Sequence, residues 1–445
     1  MFSDSFRFAQ PRDIALALAL TVTAFGAHAG NVLNSDYPRH LIQDRSPQLP
    51  AQNTAPLTLG EAEAQLARSN LSLAAATQRI SALQHQALAA TQLPDPHLSF
   101  DAVNLPTNNF SLTQQGMTML SVGVSQSIPP PGKLALEGAK LKAEAAGQQF
   151  SREAKRAQLI LAMRRAWLSA VYIRQAMESV RRQQALAREN VAAAMASYRS
   201  GTGSQSDLLR ARLAEEELRN DQSALAANEA TSLADIAQYL GSDQTQDIDP
   251  GWPRLSPVAT TSGDVPSTQP LLRLAQAKVQ IAQAGVRVAK TDFLPAITLS
   301  ASYGKSFFPG SPNYFSAGVS MNLPIFSHYR LNQELDSTRA QVMEARYDEQ
   351  DQRLALLQQI RAARARYRSL HEKWKRMSTH MLPLAHAAFD STLKAYTNGR
   401  ATMSEVLKTQ QAVFAIELQT LQQRRDLLAI QAEFDYLTTS SEQQP

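Results

Sequence analysis

The sequence predicts a mainly α-helical fold with a small β part, built twice in the order helix–strand–strand–helix. Three observations predict it. Short stretches alternate apolar and small polar side chains: Phe315, Ala317, Val319, Met321 and Leu323 are apolar, and Ser316, Gly318, Ser320 and Asn322 separate them. A period of two marks a strand with one apolar and one wet face. Elsewhere, long runs carry almost no helix breaker, and aromatic residues make up only 7% of the chain. Landmarks also recur in the same order. Tyr198-x-x-Gly201 returns as Tyr396-x-x-Gly399, and Asp207-Leu208-Leu209 as Glu405-Val406-Leu407, both 198 residues on. Gly123-Val124-Ser125 returns as Gly318-Val319-Ser320. Such repeats take precedence over any other reading of the fold.

Taken in order, residues 1–29 read as a secretory signal peptide. Arg7 and Arg12 precede the apolar run from Ile14, and Ala27-His28-Ala29 supplies a small-x-small site, cut after Ala29. Residues 30–56 are an extended arm. The first repeat covers 57–240, with strands near 98–104 and 118–128. It opens with a capping box, Thr58 with Glu61, and one helix is expected from there to about Gln92, where Leu93-Pro94 stops it. From Lys133 to about Ser200 only Gly138 and Gly147 interrupt the helix pattern. A helix of roughly 65 residues is ~100 Å long and needs partners along its length. Gly201 to Gly203 turns the chain, and Ser204 with Asp207 caps a return helix.

Residues 241–270 form a linker or equatorial segment. The second repeat covers 271–439, with strands near 297–307 and 314–323. Its long helix from Ser327 to Thr397 is expected to kink at Pro383, and Thr402 with Glu405 caps the last helix. Leu407, Phe414, Leu421 and Leu428 there suggest a seven-residue seam. Residues 440–445 are a polar tail.

The strands have the length that crosses an outer membrane when tilted. On this reading Leu120, Val122, Val124, Phe315, Val319, Met321 and Leu323 face lipid, while the Ser, Gly and Thr faces line water. A sheet in hydrocarbon must close, because an open edge leaves backbone groups unpaired. Closed barrels start at about eight strands, and one chain offers four. Several chains are therefore expected to share one barrel. The rival is a soluble sheet on a coiled-coil stalk.

At these residues the sequence resembles the TolC-type outer-membrane factor family, over roughly residues 57–438. The marks are the duplicated order, the Leu-Pro entry to each first strand, and the Tyr-x-x-Gly turn before an acidic residue and Leu. Ser125-Gln126-Ser127-Ile128-Pro129-Pro130-Pro131-Gly132-Lys133 is similar to the Gln-x-x-Pro-x-x-Gly-Lys segment of heavy-metal efflux members. The resemblance implies a homotrimer with a shared twelve-stranded β-barrel in the outer membrane and an α-helical barrel in the periplasm. It implies docking on a periplasmic membrane-fusion adaptor and an inner-membrane pump of the resistance-nodulation-division type. The expected function is a passive exit duct of a tripartite efflux system. The cargo stays open among metal ions, drugs, other solutes and peptides. The alternatives are a periplasmic adaptor or stalk, and the outer-membrane component of type I peptide secretion.

The adaptor-docking tips expected from the resemblance hold Tyr198, Gly201, Gly203, Leu208 and Leu209 in one turn, and Tyr396, Gly399, Arg400, Val406 and Leu407 in the other. Asp207 and Glu405 are either a pore constriction favouring cations or capping-box acids. No catalytic, cofactor or metal site is expected. The chain has no cysteine, which excludes disulfides, zinc–thiolate sites, cysteine nucleophiles and an acylated anchor. Met117, Met119 and Met321 read as packing rather than copper(I) ligands, and His371, His380 and His386 lack the i, i+4 spacing of a helical metal pair. The net charge of +5 is spread along helices, so no nucleic-acid partner is expected.

Overall fold

A computed structural model describes residues 56–255, 258 and 265–438, all in the unit Pro56–Pro445. The signal peptide with its cleavage after Ala29, the arm up to residue 55, the tail, and residues 256, 257 and 259–264 lie outside the described residues. The first repeat contains α1 (Leu59–Ser69), α2 (Leu71–Ala89), β1 (His97–Val103), β2 (Met119–Ile128), α3 (Lys133–Arg199) and α4 (Gln205–Leu240). The second contains α5 (Pro270–Thr291), β3 (Ala296–Ser306), β4 (Tyr314–Asn322), α6 (His328–Arg376), a π-turn (Met377–Met381), α7 (Leu382–Thr397) and α8 (Met403–Thr438).

Helix ends follow the caps. The Thr58 backbone N–H donates to Glu61 Oε2 at 2.9 Å, and the Glu61 N–H donates back to Thr58 Oγ1 at 3.4 Å. The single helix expected up to Gln92 is instead broken at Asn70. Its side-chain oxygen accepts from the N–H groups of Ser72 and Leu73, while Nδ2 donates to the Tyr239 carbonyl at 2.9 Å. A short amide side chain competes with the helix for backbone partners. Here it also ties the break to the end of α4. The Ser69 hydroxyl adds a bond to the Leu240 carbonyl at 2.6 Å.

α3 runs unbroken for 67 residues. At Gly138 an added Cβ would stand 3.1 Å from the Ala87 carbonyl oxygen, so the glycine permits the close approach of α2. The largest core gathers Leu66, Leu73, Met163, Trp167, Val171 and Leu240 where α1, α2, α3 and α4 meet. Arg174 holds the segment after α4 against this core: it donates to Glu229 at 2.7 Å, to Asp247 at 2.6 Å and to the Ile248 carbonyl at 2.6 Å. A second core places Leu356, Ile360 and Ala363 of α6 against Phe434 and Leu437 of α8.

The seam on α8 lies one residue from its expected place. Val406, Val413, Leu427 and Phe434 are buried, whereas Phe414, Leu421 and Leu428 are only half-buried; Leu407 is buried as well. Both rows keep the seven-residue period, so the sequence alone did not separate them. Just before Pro383, where a kink is expected, the helix makes a π-turn, and the Leu382 N–H reaches back to the Met377 carbonyl.

The four strands form one antiparallel sheet in the order β1-β2-β3-β4. The two repeats therefore join between β2 and β3, and β1 and β4 are left as edges. Among the described residues no helix is long and apolar enough to cross a membrane.

Candidate functional site

Register decides what each sheet face carries. Leu98, Val124, Ala301 and Ala317 are aligned across the four strands, as are Phe100, Val122, Tyr303 and Phe315. Val319 faces Leu299, and Met321 faces Ile297. All of these share one face. Val319 is 72% exposed and Phe100 is 73% exposed. The opposite face is built from Ser99, Asp101, Ser121, Gly123, Ser300, Ser302, Ser316 and Gly318. An apolar face this open marks contact with something other than water.

Exposed apolar side chains flank both ends of that face. Leu93, Leu294, Leu323, Ile325, Phe326 and Tyr329 lie on the helix side, and Phe110, Met117, Phe307 and Phe308 on the loop side. β3 has 11 residues. At about 3.4 Å per residue and a tilt of 35–45° it spans roughly 26–31 Å along the membrane normal, close to the ~25 Å apolar band of outer-membrane barrels.

The expected lipid-facing residues fall on one face with two qualifications. Leu120 is half-buried, and Leu323 is exposed just past the end of β4. Gln126, the polar exception in that row, donates to the Pro94 carbonyl at 2.8 Å. On β1 and β3 the period-two pattern alone does not single out a lipid-facing row; strand pairing supplies the face. The methionines do not converge: Met119 lies on the wet face against Gly304, and Met321 lies on the apolar face. Among the described residues no group of His, Asp or Glu is placed to hold a metal ion.

The segment Gln126 to Lys133 has structural work at the junction of sheet and helix. Gly132 takes φ +80° to start α3, and Lys133 Nζ pairs with Asp292 at the end of α5 at 2.7 Å.

At the far end of the helices, Arg199–Ser204 and Thr397–Thr402 make two similar turns. Gly201 and Gly399 take φ +77° and +68°. The turns stand on a shared core of Ala194, Leu208, Ala211, Met403, Val406 and Leu407. Three of the residues expected at the docking tips are buried in that core. Leu208, Val406 and Leu407 hold the two hairpins together and do not face outward. Tyr198, Gly201, Leu209, Gly399 and Arg400 are exposed, and Gly203 and Tyr396 are half-buried. Arg210 Nη1 donates to Ser404 Oγ at 3.0 Å, a polar link between the hairpins with no sequence signal.

Asp207 accepts from the Ser204 hydroxyl at 2.7 Å, and its own N–H donates to that oxygen at 3.1 Å. Glu405 accepts from the Thr402 N–H at 2.7 Å and hydroxyl at 3.1 Å. The backbone bond first, and the hydroxyl second, hold the Glu405 carboxyl below the usual carboxylate range. Thr402 and Glu405 make a capping box, whereas the expected box at Ser204 is reduced to a simple N-cap, because Asp207 bonds the Ser204 hydroxyl and not its backbone N–H.

Between tip and core, polar side chains cross the α3–α8 contact. Gln410 donates to Gln183 at 3.1 Å and accepts from Asn190, and Ser179 donates to Glu417 at 2.5 Å. His386 Nε2 lies 3.6 Å from the same Glu417.

The sequence profile of the outer membrane efflux protein family matches residues 264–438. Protein CyaE of Bordetella pertussis is 29% identical over 190 residues, 40% of each chain. The pyoverdine export outer membrane protein OpmQ of Pseudomonas aeruginosa is 29% identical over 184 residues, 39% of this chain and 37% of that protein. The chain thus aligns with about two fifths of the length of these relatives. The crystal structure of CusC superposes with a TM-score of 0.72 at 17% identity, covering 86% of this chain and 92% of that one. Residues 264–438 thus resemble the outer membrane efflux protein family in sequence, and the described chain shares the fold of CusC.

Proposed function

We propose that three copies of this chain close one twelve-stranded barrel in the outer membrane and serve as the passive exit duct of a tripartite efflux system. The observation that carries the proposal is a four-stranded sheet with an exposed apolar face, a Ser/Gly/Thr face and two unpaired edges. Water would tolerate the edges but not the face, and lipid would tolerate the face but not the edges. Closure with further copies meets both demands. The small hydroxylic side chains then line an open, wet lumen.

Energy and cargo choice belong on this reading to an inner-membrane pump, reached through a periplasmic adaptor. The exposed parts of the tips, Tyr198, Gly201, Leu209, Gly399 and Arg400, are the docking surface. Leu208, Val406 and Leu407 enter contact only if the hairpins part. Asp207 and Glu405 act first as helix caps. A metal-ion cargo rests on the Gln126–Lys133 segment alone, and OpmQ, by its name, exports pyoverdine. Residues 1–29 act as the export signal, and residues 57–240 and 271–439 as the two repeats.

The test is charge on either face of β4. Val319→Asp should abolish heat-sensitive trimers in the outer-membrane fraction, because a carboxylate at mid-strand would face lipid. Ser320→Asp should assemble and export as the parent does. Equal tolerance of the two would overturn the barrel.

A further inference from the structure

The duplication fixes more than the fold: it gives the residue-by-residue register of the seam between copies. β4 repeats β2, with Gly123-Val124-Ser125 becoming Gly318-Val319-Ser320, 195 residues on. β3 repeats β1, with Leu93-Pro94 becoming Leu294-Pro295, 201 residues on. The pairing inside each repeat checks the sum of the two offsets. In the first repeat His97 pairs with Ser125. Shifted by 201 and 195, these become Thr298 and Ser320, which are paired in the second repeat. The two hairpins are thus copies of one another to the residue.

Inside the chain the hairpins meet between β2 and β3, where Ser125 pairs with Ser300, Gln126 with Leu299 and Val124 with Ala301. If copies close the barrel by the same contact, β4 of one stands where β2 stands, and β1 of the next stands where β3 stands. We infer that Ser320 pairs with the partner subunit's Ser99, Met321 with the partner subunit's Leu98, and Val319 with the partner subunit's Phe100. Gly318 then faces the partner subunit's Asp101. This inference rests on the barrel proposed above and names its interface.

Face parity supports this register. Ser320 and Ser99 both belong to the wet face, and Val319, Met321, Phe100 and Leu98 all belong to the apolar one. A register slipped by one residue would place every apolar side chain of β4 beside a polar one and break the lipid-facing band.

Engineered disulfides test the register, and the chain has no cysteine of its own. The paired variants are Ser99→Cys with Ser320→Cys, and Leu98→Cys with Met321→Cys. Opposed Cα atoms in an antiparallel pair lie about 4.5 or 5.5 Å apart, within disulfide reach either way. Within one chain β1 and β4 are separated by two strands, ~14 Å, so an intrachain bond cannot form. The slipped controls join Ser320→Cys to His97→Cys or to Asp101→Cys. In outer-membrane fractions oxidised with copper phenanthroline, the expected pairs should give covalent dimers and trimers on non-reducing gels after boiling, and the controls should give at most about a tenth as much. Unoxidised samples are scored in parallel for trimers by native mass. Trimers in which a slipped pair links, or in which neither expected pair links, overturn the register and leave the barrel standing. Absence of any trimer in the parent overturns both.

Discussion

The two repeats carry the same elements but differ in the middle of their long helices. In the first, α3 is one helix of 67 residues. In the second, the same course is taken by α6, the π-turn and α7, of 49, 5 and 16 residues. The strands repeat at an offset of 195 and the tips at 198, so three extra residues enter between them. The sheet cannot take them up, because a slip of one residue exchanges its lipid and water faces. The tip cannot either, because Leu208, Val406 and Leu407 interlock there. The π-turn is the one departure from α geometry along that course, and its i→i+5 bond takes up one residue more than an α turn. The difference teaches which parts of this fold are held to the residue and which have slack.

The cores differ in the same sense. Trp167 is 1% exposed in the first, while Ala362 stands 195 residues on in the second. Trp167→Ala should cost about 3–5 kcal/mol. Ile360→Ala, in the second core, should cost about 2–5 kcal/mol, toward the low end because fewer large side chains surround it. Urea unfolding of the detergent-solubilised protein, followed by helical circular dichroism, orders the two. A larger loss at Ile360 would reverse the comparison.

Where the repeats are alike, substitutions should cost alike. Gly201 and Gly399 both sit at positive φ, and an added Cβ would meet nothing within 4 Å at either. Gly201→Ala and Gly399→Ala should therefore each cost only the left-handed backbone penalty, about 1–2 kcal/mol. The same unfolding experiment reads the two values. A difference well above about 0.5 kcal/mol would mean that one turn bears a contact the other lacks.

How much of this was legible follows from range. Caps at Thr58, Ser204 and Thr402, the Leu-Pro stops and the strand alternation are local, and each was visible in a window of a few residues. The tip duplication was visible because it repeats. The break at Asn70 was not, since its partner is the Tyr239 carbonyl, far along the chain. The α8 seam was misplaced by one residue for a related reason. A helix with apolar residues at both 406/413 and 407/414 offers two stripes, and only the neighbouring α3 and α6 choose between them. Leu208, Val406 and Leu407 were placed in the tips, but their burial was not legible, because a resemblance carries position and not burial. Arg210 with Ser404, and Gln183 with Gln410, left no sequence trace, as pairs of polar residues distant in the chain do not.

The π-turn offers a smaller test. Pro383 has no N–H to donate to the turn before it. Pro383→Ala restores a donor and should let residues 377–387 relax toward α geometry. Their amide exchange should slow about tenfold, while exchange in the middle of α3 stays unchanged. Unaltered exchange would show that the three extra residues, and not the proline, hold the π-turn.

The smallest effect expected is at the cap of α8, and its sign follows from the bonds Glu405 accepts. Its folded pKa lies below the ordinary carboxylate value. The cap's contribution is therefore complete above the unfolded pKa and is lost as pH falls through the folded one. Glu61 is lowered in the same way by Thr58, so the first repeat opens on a cap of the same kind. Glu405→Gln and Glu61→Gln should each shift the urea midpoint slightly at neutral pH, since both carboxylates are exposed. Each difference from the parent should vanish when the pH is lowered until the parent's carboxylate is protonated. A difference at Glu405 that persists in acid would mean that this residue does more at the tip than close its helix.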